Sequence, residues 1–376
     1  MPASSAVIST IRYRHVRLLV VFMIAAAFLL SACSTVPLIP YTEDGQPLVL
    51  MPASQAGIED KRGRFREIFC TILDERGQSL PDYLPCDEAL TRVGVEPEGP
   101  AKEVVLGSSD RGLVAVIVPG VGWDCIANWL NAEGTAATHV RQFGYDMDAV
   151  PVDALSSSTN NARQIRDTIM AMEGKDQEPN VVLIGYSKGA PDILQAVVSY
   201  PEIREHIAAV VSVAGAIGGS PLANDATQSD LNLLRHWPGA QCSEGDGGAI
   251  ESLRPATRKN WLANNPLPKD FPYYSLVTYP KPERISSILE SSYDKLSKVD
   301  ARNDSQLLFY DQIIPGSALT GYLNADHWAI VIPVARTHST IGSLFVDQNN
   351  YPREALLEAM LRFIEEDLSL SSRGKK

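Results

Sequence analysis

A short stretch in the middle of the chain, residues 180–194, constrains the fold more than any other. Val181 to Ile184 form an unbroken apolar run rich in β-branched residues, which is typical of a strand buried on both faces of a parallel sheet. The run leads into Gly-Tyr-Ser-Lys-Gly, and apolar residues at helical spacing follow. This order predicts a tight strand-to-helix turn that projects the Ser187 hydroxyl from the edge of the sheet. Glycines two residues away on either side allow neighbouring backbone to approach.

The N-terminus has the features of a bacterial export signal. Three arginines within residues 12–17 precede an apolar core, residues 18–30, that is shorter than a membrane-spanning helix. The following Leu-Ser-Ala-Cys resembles the lipobox of bacterial lipoproteins. The resemblance implies cleavage before Cys33, lipid on its thiol and amine, and export. Ser34 after the cysteine favours the outer membrane, facing the periplasm. An uncleaved anchor and ordinary secretion are the alternatives.

Removal of such a signal would leave a strongly acidic protein. The formal net charge moves from −12 to −15, because residues 1–32 contain three arginines and no acid. A remaining sequence with this strong negative charge does not indicate a nucleic-acid partner. About 344 residues remain, which is enough for one large α/β domain with insertions.

Four cysteines remain besides Cys33, and they have no metal-binding spacing. They are Cys70, Cys86, Cys125 and Cys242. An even number in an exported protein indicates two disulfides, for which three pairings exist. The local pairing Cys70–Cys86 is favoured, and it leaves Cys125–Cys242. None of the four lies in a C-x-x-C or Cys/His pattern, so we expect no zinc.

The composition divides the chain into four segments. Residues 1–32 are the predicted signal peptide, 33–62 a tether rich in proline, serine, glycine and charge, 63–102 an N-terminal extension, and 103–376 the main domain. In the main domain, strand patterns alternate with amphipathic helices, and the first strand pattern covers 103–106. Such alternation predicts an α/β fold with a mostly parallel central sheet flanked by helices.

One part of the main domain, about 216–271, departs from this alternation. It is long, rich in glycine, proline, serine and asparagine, and contains Cys242. Long segments without regular structure in compact domains are usually functional. Because it follows a predicted strand that ends near Val213, we expect it to lie over the sheet edge as a lid or cap. The alternative is a surface loop without a function.

The surroundings of Ser187 resemble the α/β-hydrolase superfamily. A serine nucleophile needs a base to take its proton and a carboxylate to orient that base. In this superfamily the chain order is serine, acid, histidine. His327 lies in Asn-Ala-Asp-His-Trp directly after the last predicted strand, where the superfamily places its base. The other histidines that follow the serine lie at 206, 236 and 338, and they fit this position less well.

Two aspartates compete for the role of the acid. Asp304 lies in Asn-Asp-Ser, which resembles the Asn-Asp-Gly loop of many bacterial lipases, with Ser305 in place of glycine. Its distance of 23 residues to His327 leaves room for one strand. Asp311 lies in Asp-Gln-Ile-Ile-Pro, which resembles the Asp-Gly-x-Val-Pro loop of related esterases but departs from it at Gln312. We favour Asp304 and keep Asp311 as the alternative.

The resemblance also implies an oxyanion hole made of two backbone N–H groups. Lys188, the residue after the nucleophile, supplies one. The Pro-Gly-Val-Gly-Trp loop that follows the strand ending at Val118 resembles the His-Gly-x loop of lipases, so Val121 is the second inferred donor. The proline in place of histidine matters little, because the donor is a backbone group.

The resemblance covers about 103–368 and implies a serine hydrolase without a metal or organic cofactor. The predicted activity is cleavage of carboxylic (acyl or lipid) esters through an acyl-enzyme, by a protein attached to the membrane through lipidated Cys33. Two alternatives are an acyltransferase with the same triad and a non-catalytic envelope lipoprotein that keeps the fold as a binding scaffold.

Overall fold

The computed structural model describes residues 57–125, 135–172, 179–236, 242–338, 340 and 344–373. All of them belong to one compact unit. The predicted signal peptide, with Cys33, lies outside the described residues. Among the helices in the described part, none has the length and apolar character needed to cross a bilayer.

The centre of the domain is a parallel sheet of seven strands. In chain order the strands are β1 (Glu59–Asp60), β2 (Val114–Val118), β3 (Asp146–Ala149), β4 (Val181–Tyr186), β5 (Ile207–Val213), β6 (Tyr273–Thr278) and β7 (Ala318–Leu323). Their order across the sheet is β1-β7-β6-β5-β4-β2-β3, and every neighbouring pair is parallel. The α/β-hydrolase architecture predicted from the sequence is therefore confirmed.

Helices cover both faces of the sheet. The α-helices are α1 (Arg62–Arg76), α2 (Cys86–Ala89), α3 (Thr135–Arg141), α4 (Ser158–Ala171), α5 (Gly189–Ser199), α6 (Gln228–Arg235), α7 (Ala249–Leu253), α8 (Pro255–Asn264), α9 (Glu290–Ser297), α10 (Val334–Thr337) and α11 (Arg353–Arg373). Short 3₁₀ helices span Gly77–Ser79, Pro201–His206, Pro221–Asn224, Pro282–Arg284, Ser287–Leu289 and Phe309–Gln312. One apolar cluster joins α1, α3 and α11 to the sheet, and a second joins α4 and α5 to it.

The strand order reverses beside Ser187, which is where open α/β sheets have their ligand crevice. Strands β2 and β4 are neighbours, but β2 continues to β3 on one side while β4 continues to β5 on the other. In open α/β sheets, ligands bind at the carboxyl ends of two strands that diverge in this way. Ser187 follows β4 directly, and the loop with Val121 follows β2. The chain connectivity thus places both at the same crevice.

The N-terminal extension contributes to the main core. Phe65 and Phe69 of α1 are fully buried in the cluster that contains α11. The Arg64 guanidinium also bonds the Glu366 carboxylate of α11, at 2.7 Å. Because α1 fills one face of the sheet, the extension stabilises the domain rather than only preceding it.

The strand predicted at 103–106 does not form. The segment lies outside the sheet, and Val105 is 73% exposed. Its carbonyl groups accept hydrogen bonds from arginine side chains, since Arg362 donates to the Val105 and Leu106 oxygens, both at 3.1 Å. Side-chain donors therefore satisfy this backbone in place of a neighbouring strand.

Both predicted disulfides are present, and the insertion has regular structure. Cys70 is joined to Cys86, and Cys125 to Cys242. The described part of 216–271 contains helices α6, α7 and α8, where the sequence suggested a segment without regular structure. Apolar residues of α6 and α7 pack against the rest of the domain. The insertion is therefore partly folded, which its composition did not indicate.

Removal of a large side chain from α1 tests its place in the core. The Phe65 ring lies 6.0 Å from the rings of Phe69 and Phe363 (centroid to centroid). We expect Phe65→Ala to lower the free energy of unfolding by about 3–5 kcal/mol, because it removes apolar contacts and leaves a cavity. Urea denaturation measures this. Val95→Ala, at a position 95% exposed, is the control and should stay within about 0.5 kcal/mol of the wild type. Equal losses in both variants would contradict the packing described.

Candidate active site

Ser187 occupies a strained turn between β4 and α5. Its φ of +53° lies in the left-handed region that side chains rarely adopt. The turn is possible because two glycines admit close backbone contacts. A Cβ on Gly189 would lie 1.9 Å from the Val118 carbonyl oxygen, and one on Gly185 would lie 2.4 Å from the Ala190 Cα. The strand–turn–helix context predicted from the sequence thus has a direct steric basis.

Three of the predicted site residues lie in one hydrogen-bonded chain. The Ser187 Oγ is 2.9 Å from the His327 Nε2, and the His327 Nδ1 is 2.8 Å from the Asp304 Oδ2. His327 follows β7 and is 4% exposed, whereas Asp304 is fully buried. These are the distances and the order that a serine nucleophile, a general base and an orienting carboxylate require.

The Asp304 carboxylate is surrounded by donors. Its Oδ1 accepts hydrogen bonds from the backbone N–H groups of Gln306 and Leu307, at 2.9 and 2.7 Å. The Thr278 hydroxyl, at the end of β6, donates to Oδ2, and the Gln312 side-chain amide lies 3.4 Å from the same oxygen. These contacts give both oxygens of the buried carboxylate hydrogen-bond partners.

Asp311 occupies a different place. It is 7% exposed, and its backbone carbonyl accepts a hydrogen bond from the Gly218 N–H at 2.8 Å. A Cβ on Gly218 would lie only 2.2 Å from the Asp311 Oδ1, so this carboxylate packs against the loop after β5. The carboxylate beside the His327 Nδ1 is that of Asp304.

His327 is also held from its other sides. The Tyr186 hydroxyl donates to the His327 carbonyl oxygen at 2.7 Å, and the two rings lie 5.1 Å apart (centroid to centroid). Burial raises the pKa of Tyr186 well above its usual value, and the nearby carboxylates of Asp304 and Asp326 raise it further, so the hydroxyl stays protonated as a donor. The His327 N–H donates to the Asp304 carbonyl at 3.0 Å.

Asp326 fixes the loop that carries His327. Its Oδ2 accepts from the Ser286 hydroxyl at 2.7 Å and from the Ser286 N–H at 3.0 Å, and its Oδ1 accepts from the N–H groups of Trp328 and Ala329. Burial raises the pKa of Asp326, and these hydrogen bonds act in the opposite direction. The residue before the histidine thus shapes the turn, as expected for a neighbour in sequence.

The loop after β2 lies directly against the nucleophile. A Cβ on Gly120 would be 2.8 Å from the Ser187 Cβ, so this glycine permits the close approach. Val121, the next residue, packs in an apolar cluster with the insertion. Lys188 lies at the start of α5, where helix geometry leaves backbone N–H groups without partners inside the helix. Gly120 and Lys188 thus lie next to Ser187, and Val121 follows Gly120 in the chain.

The Lys188 side chain turns away from the crevice. It is fully buried, and its Nζ lies 2.9 and 2.7 Å from the two carboxylate oxygens of Asp192. Asn161 donates to the same carboxylate at 2.7 Å. Burial lowers the pKa of Lys188, and Asp192 opposes that shift. The ammonium group thus forms an internal ion pair one turn into α5 and does not close the crevice.

Four site residues were missed at the level of sequence: Thr278, Gln312, Tyr186 and the buried partner Asp192. Thr278 and Gln312 carried no signal, because they meet Asp304 only through the fold. The i, i+4 spacing of Lys188 and Asp192 on a predicted helix could have indicated their ion pair. No group of three or more histidine, cysteine, aspartate or glutamate side chains suited to a metal ion occurs among the residues that the structure describes.

Comparison with solved structures finds similarity to a carboxyl esterase. The chain is 40% identical to the metagenomic carboxyl esterase MGS0156; the match covers 86% of this chain and 97% of that protein, with a TM-score of 0.78. Two further structures are less similar. They are the mature lipase BlEst2 of Bacillus licheniformis (18% identity, 64% of this chain and 95% of that one, TM-score 0.49) and EstA of Clostridium botulinum (13%, 78% and 97%, TM-score 0.48).

No family model matches the sequence, and no curated protein is significantly similar to it. The assignment therefore comes from the similarity to MGS0156, which is high and extends over nearly all of that protein. The seven-stranded parallel sheet is consistent with it. The chain belongs to the carboxyl esterase family, as a carboxylesterase/lipase-like hydrolase with the α/β-hydrolase fold.

Proposed function

We propose that this protein hydrolyses carboxylic esters, acyl or lipid esters in particular, through a Ser187–His327–Asp304 triad. The observation that carries the proposal is the continuous hydrogen-bond chain from the serine Oγ through both imidazole nitrogens to the buried carboxylate, at 2.9 and 2.8 Å. The 40% identity with a carboxyl esterase supports the reaction class.

In the proposed mechanism, His327 takes the proton of Ser187 as the oxygen attacks the ester carbonyl carbon. The imidazolium then gives this proton to the leaving alkoxide oxygen, and an acyl-enzyme results. Water enters, gives a proton to His327, and releases the acid by the reverse steps. Asp304 holds the ring and stabilises its charged form, while the N–H groups of Val121 and Lys188 stabilise the oxyanion.

We further propose that the insertion, 216–271, acts as a lid or cap. Contacts with the loops of the site support this role. The Ser220 hydroxyl donates to the Gln306 carbonyl at 2.6 Å, beside Asp304, and Val121 packs in the apolar cluster of the insertion. A cover at this place would exclude water from the reacting ester.

The nucleophile is tested by the Ser187→Ala variant. We expect kcat for a short p-nitrophenyl ester to fall by at least about 10⁴-fold, because no other group replaces the attacking oxygen. Labelling by a fluorophosphonate probe should disappear as well. Ser79→Ala, at an exposed serine, is the matched control and should react as the wild type does. Ester cleavage that persists in Ser187→Ala would refute the assignment.

The acid is tested by comparing Asp304→Asn with Asp311→Asn. Each change keeps the shape of the side chain and removes its charge. We expect Asp304→Asn to lower kcat by about 10⁴-fold, because the amide no longer stabilises the charged imidazole or the correct tautomer. Asp311→Asn should retain kcat within about tenfold, because its side chain packs against Gly218. The reverse order of the two losses would make Asp311 the acid.

We propose that the protein is anchored in the outer membrane through a lipid on Cys33 and faces the periplasm. The motif around Cys33 supports this, and two disulfides in the domain suit an oxidising compartment. We expect Cys33→Ser to abolish incorporation of labelled fatty acid and to accumulate unprocessed precursor on immunoblots of cell fractions. Ser34→Ala, a neighbouring change, should be processed normally. Normal processing of Cys33→Ser would exclude the lipoprotein route.

A further inference from the structure

We propose that the Cys125–Cys242 disulfide is a positioning element of the active site: it holds the loop of the inferred oxyanion donor Val121 against the insertion. Catalysis would then depend on this bond beyond its contribution to stability. The inference rests on the proposed function, since it assumes that the Val121 N–H binds the oxyanion.

The disulfide and the inferred donor are close together in the sequence. Cys125 lies four residues after Val121, and tight turns span the interval. The Trp123 N–H donates to the Gly120 carbonyl at 3.4 Å, and the Cys125 N–H to the Gly122 carbonyl at 3.1 Å. Cys125 is 3% exposed. A shift at this cysteine would be transmitted through little more than one turn of backbone to the donor.

The loop that carries Val121 lies beyond the end of the sheet. Strand β2 ends at Val118, so beyond it the sheet no longer fixes the backbone. Part of the support for this loop then comes from the insertion. Val121 and Cys125 pack in one apolar cluster with Ala249 and Ile250 of α7. Beside the disulfide, the Asp124 Oδ2 accepts a hydrogen bond from the Ser243 N–H at 3.2 Å.

The insertion is itself attached to the body of the domain. The Asp246 carboxylate accepts hydrogen bonds from the N–H and the hydroxyl of Ser157, both at 2.6 Å, at the start of α4. The Ser220 hydroxyl donates to the Gln306 carbonyl at 2.6 Å, in the loop that carries Asp304. The disulfide therefore ties the donor loop to a frame that is anchored at two further points.

Opening the disulfide would remove a covalent link between the loop and the insertion and leave non-covalent contacts, such as the Asp124–Ser243 hydrogen bond and the apolar cluster, which are weaker restraints. An oxyanion donor must lie within hydrogen-bond distance of the developing charge, and removal of one donor in other enzymes lowers kcat by about 10²–10³-fold. Displacement of Val121 should have a smaller effect of the same kind. It should lower kcat rather than raise KM, because the negative charge on this oxygen develops in the transition state and is absent from the bound substrate.

The chain offers a matched control in its second disulfide. Cys70–Cys86 joins α1 to α2 in the N-terminal extension, with a sequence separation of 16 against 117 for Cys125–Cys242. Both close loops of the unfolded chain, so loss of either is expected to lower thermal stability. Only Cys125–Cys242 adjoins the donor loop. A difference in kcat between the two variants therefore separates positioning from stability.

The experiment compares Cys125→Ser/Cys242→Ser with Cys70→Ser/Cys86→Ser, both made in the full chain and extracted in detergent. kcat and KM for p-nitrophenyl butyrate are measured at a temperature at which circular dichroism shows both proteins folded. We expect kcat of the first variant to fall by about tenfold or more, with KM within about threefold. The second variant should keep kcat within about twofold of the wild type.

If the first variant does not fold, the same bond is opened in the folded protein. In the Cys70→Ser/Cys86→Ser background, dithiothreitol should lower kcat, and oxidation after its removal should restore it, with the two thiols counted by alkylation. Equal kcat in reduced and oxidised protein, or equal losses in both double variants, would overturn the inference. Failure of the proposed function looks different, since activity would then survive in Ser187→Ala.

Discussion

The left-handed backbone of Ser187 is the constraint on which the site depends. A non-glycine residue in this region is strained by about 1 kcal/mol or more and persists only where its surroundings hold it. Here the N–H of Ser187 donates to Val213 of the neighbouring strand at 3.3 Å, and its carbonyl accepts from Ala216 at 2.9 Å. The flanking glycines remove the clashes that the turn would otherwise create. The sheet thus supplies the rigidity, and the turn presents the hydroxyl.

Burial of Asp304 imposes a second requirement, since an ionised carboxylate without partners would be costly inside the domain. Its donors come from separate parts of the chain: Thr278 from the end of β6, Gln312 from a 3₁₀ helix, His327 from the loop after β7, and two backbone N–H groups from its own loop. The orientation of the histidine is therefore determined by how these segments pack. Any change that separates them would affect the acid and the base together.

The sequence predicted the parts of the site that depend on local pattern, and missed those that depend on contact. The buried strand, the elbow and the order of Ser187, Asp304 and His327 could all be read locally. Ser305 departed from the expected glycine, yet it adopts a φ of +81°, so the serine makes the turn that the motif requires. The donors Thr278 and Gln312 lie 26 and 8 residues from Asp304, and no periodicity links such positions. The helices of the insertion were hidden by its composition.

The side chain and the backbone N–H of Lys188 lie in different surroundings. A lysine beside a nucleophile might be taken for a group that binds or blocks the substrate, since lysine is seldom fully buried. Its ammonium is instead paired with Asp192, and the removal of either partner would leave an unpaired charge in the interior. Because the ion pair holds the first turn of α5, it also restrains the backbone N–H of Lys188. In the proposed reaction Lys188 would therefore act through that backbone group, while its side chain is paired with Asp192 in the same helix.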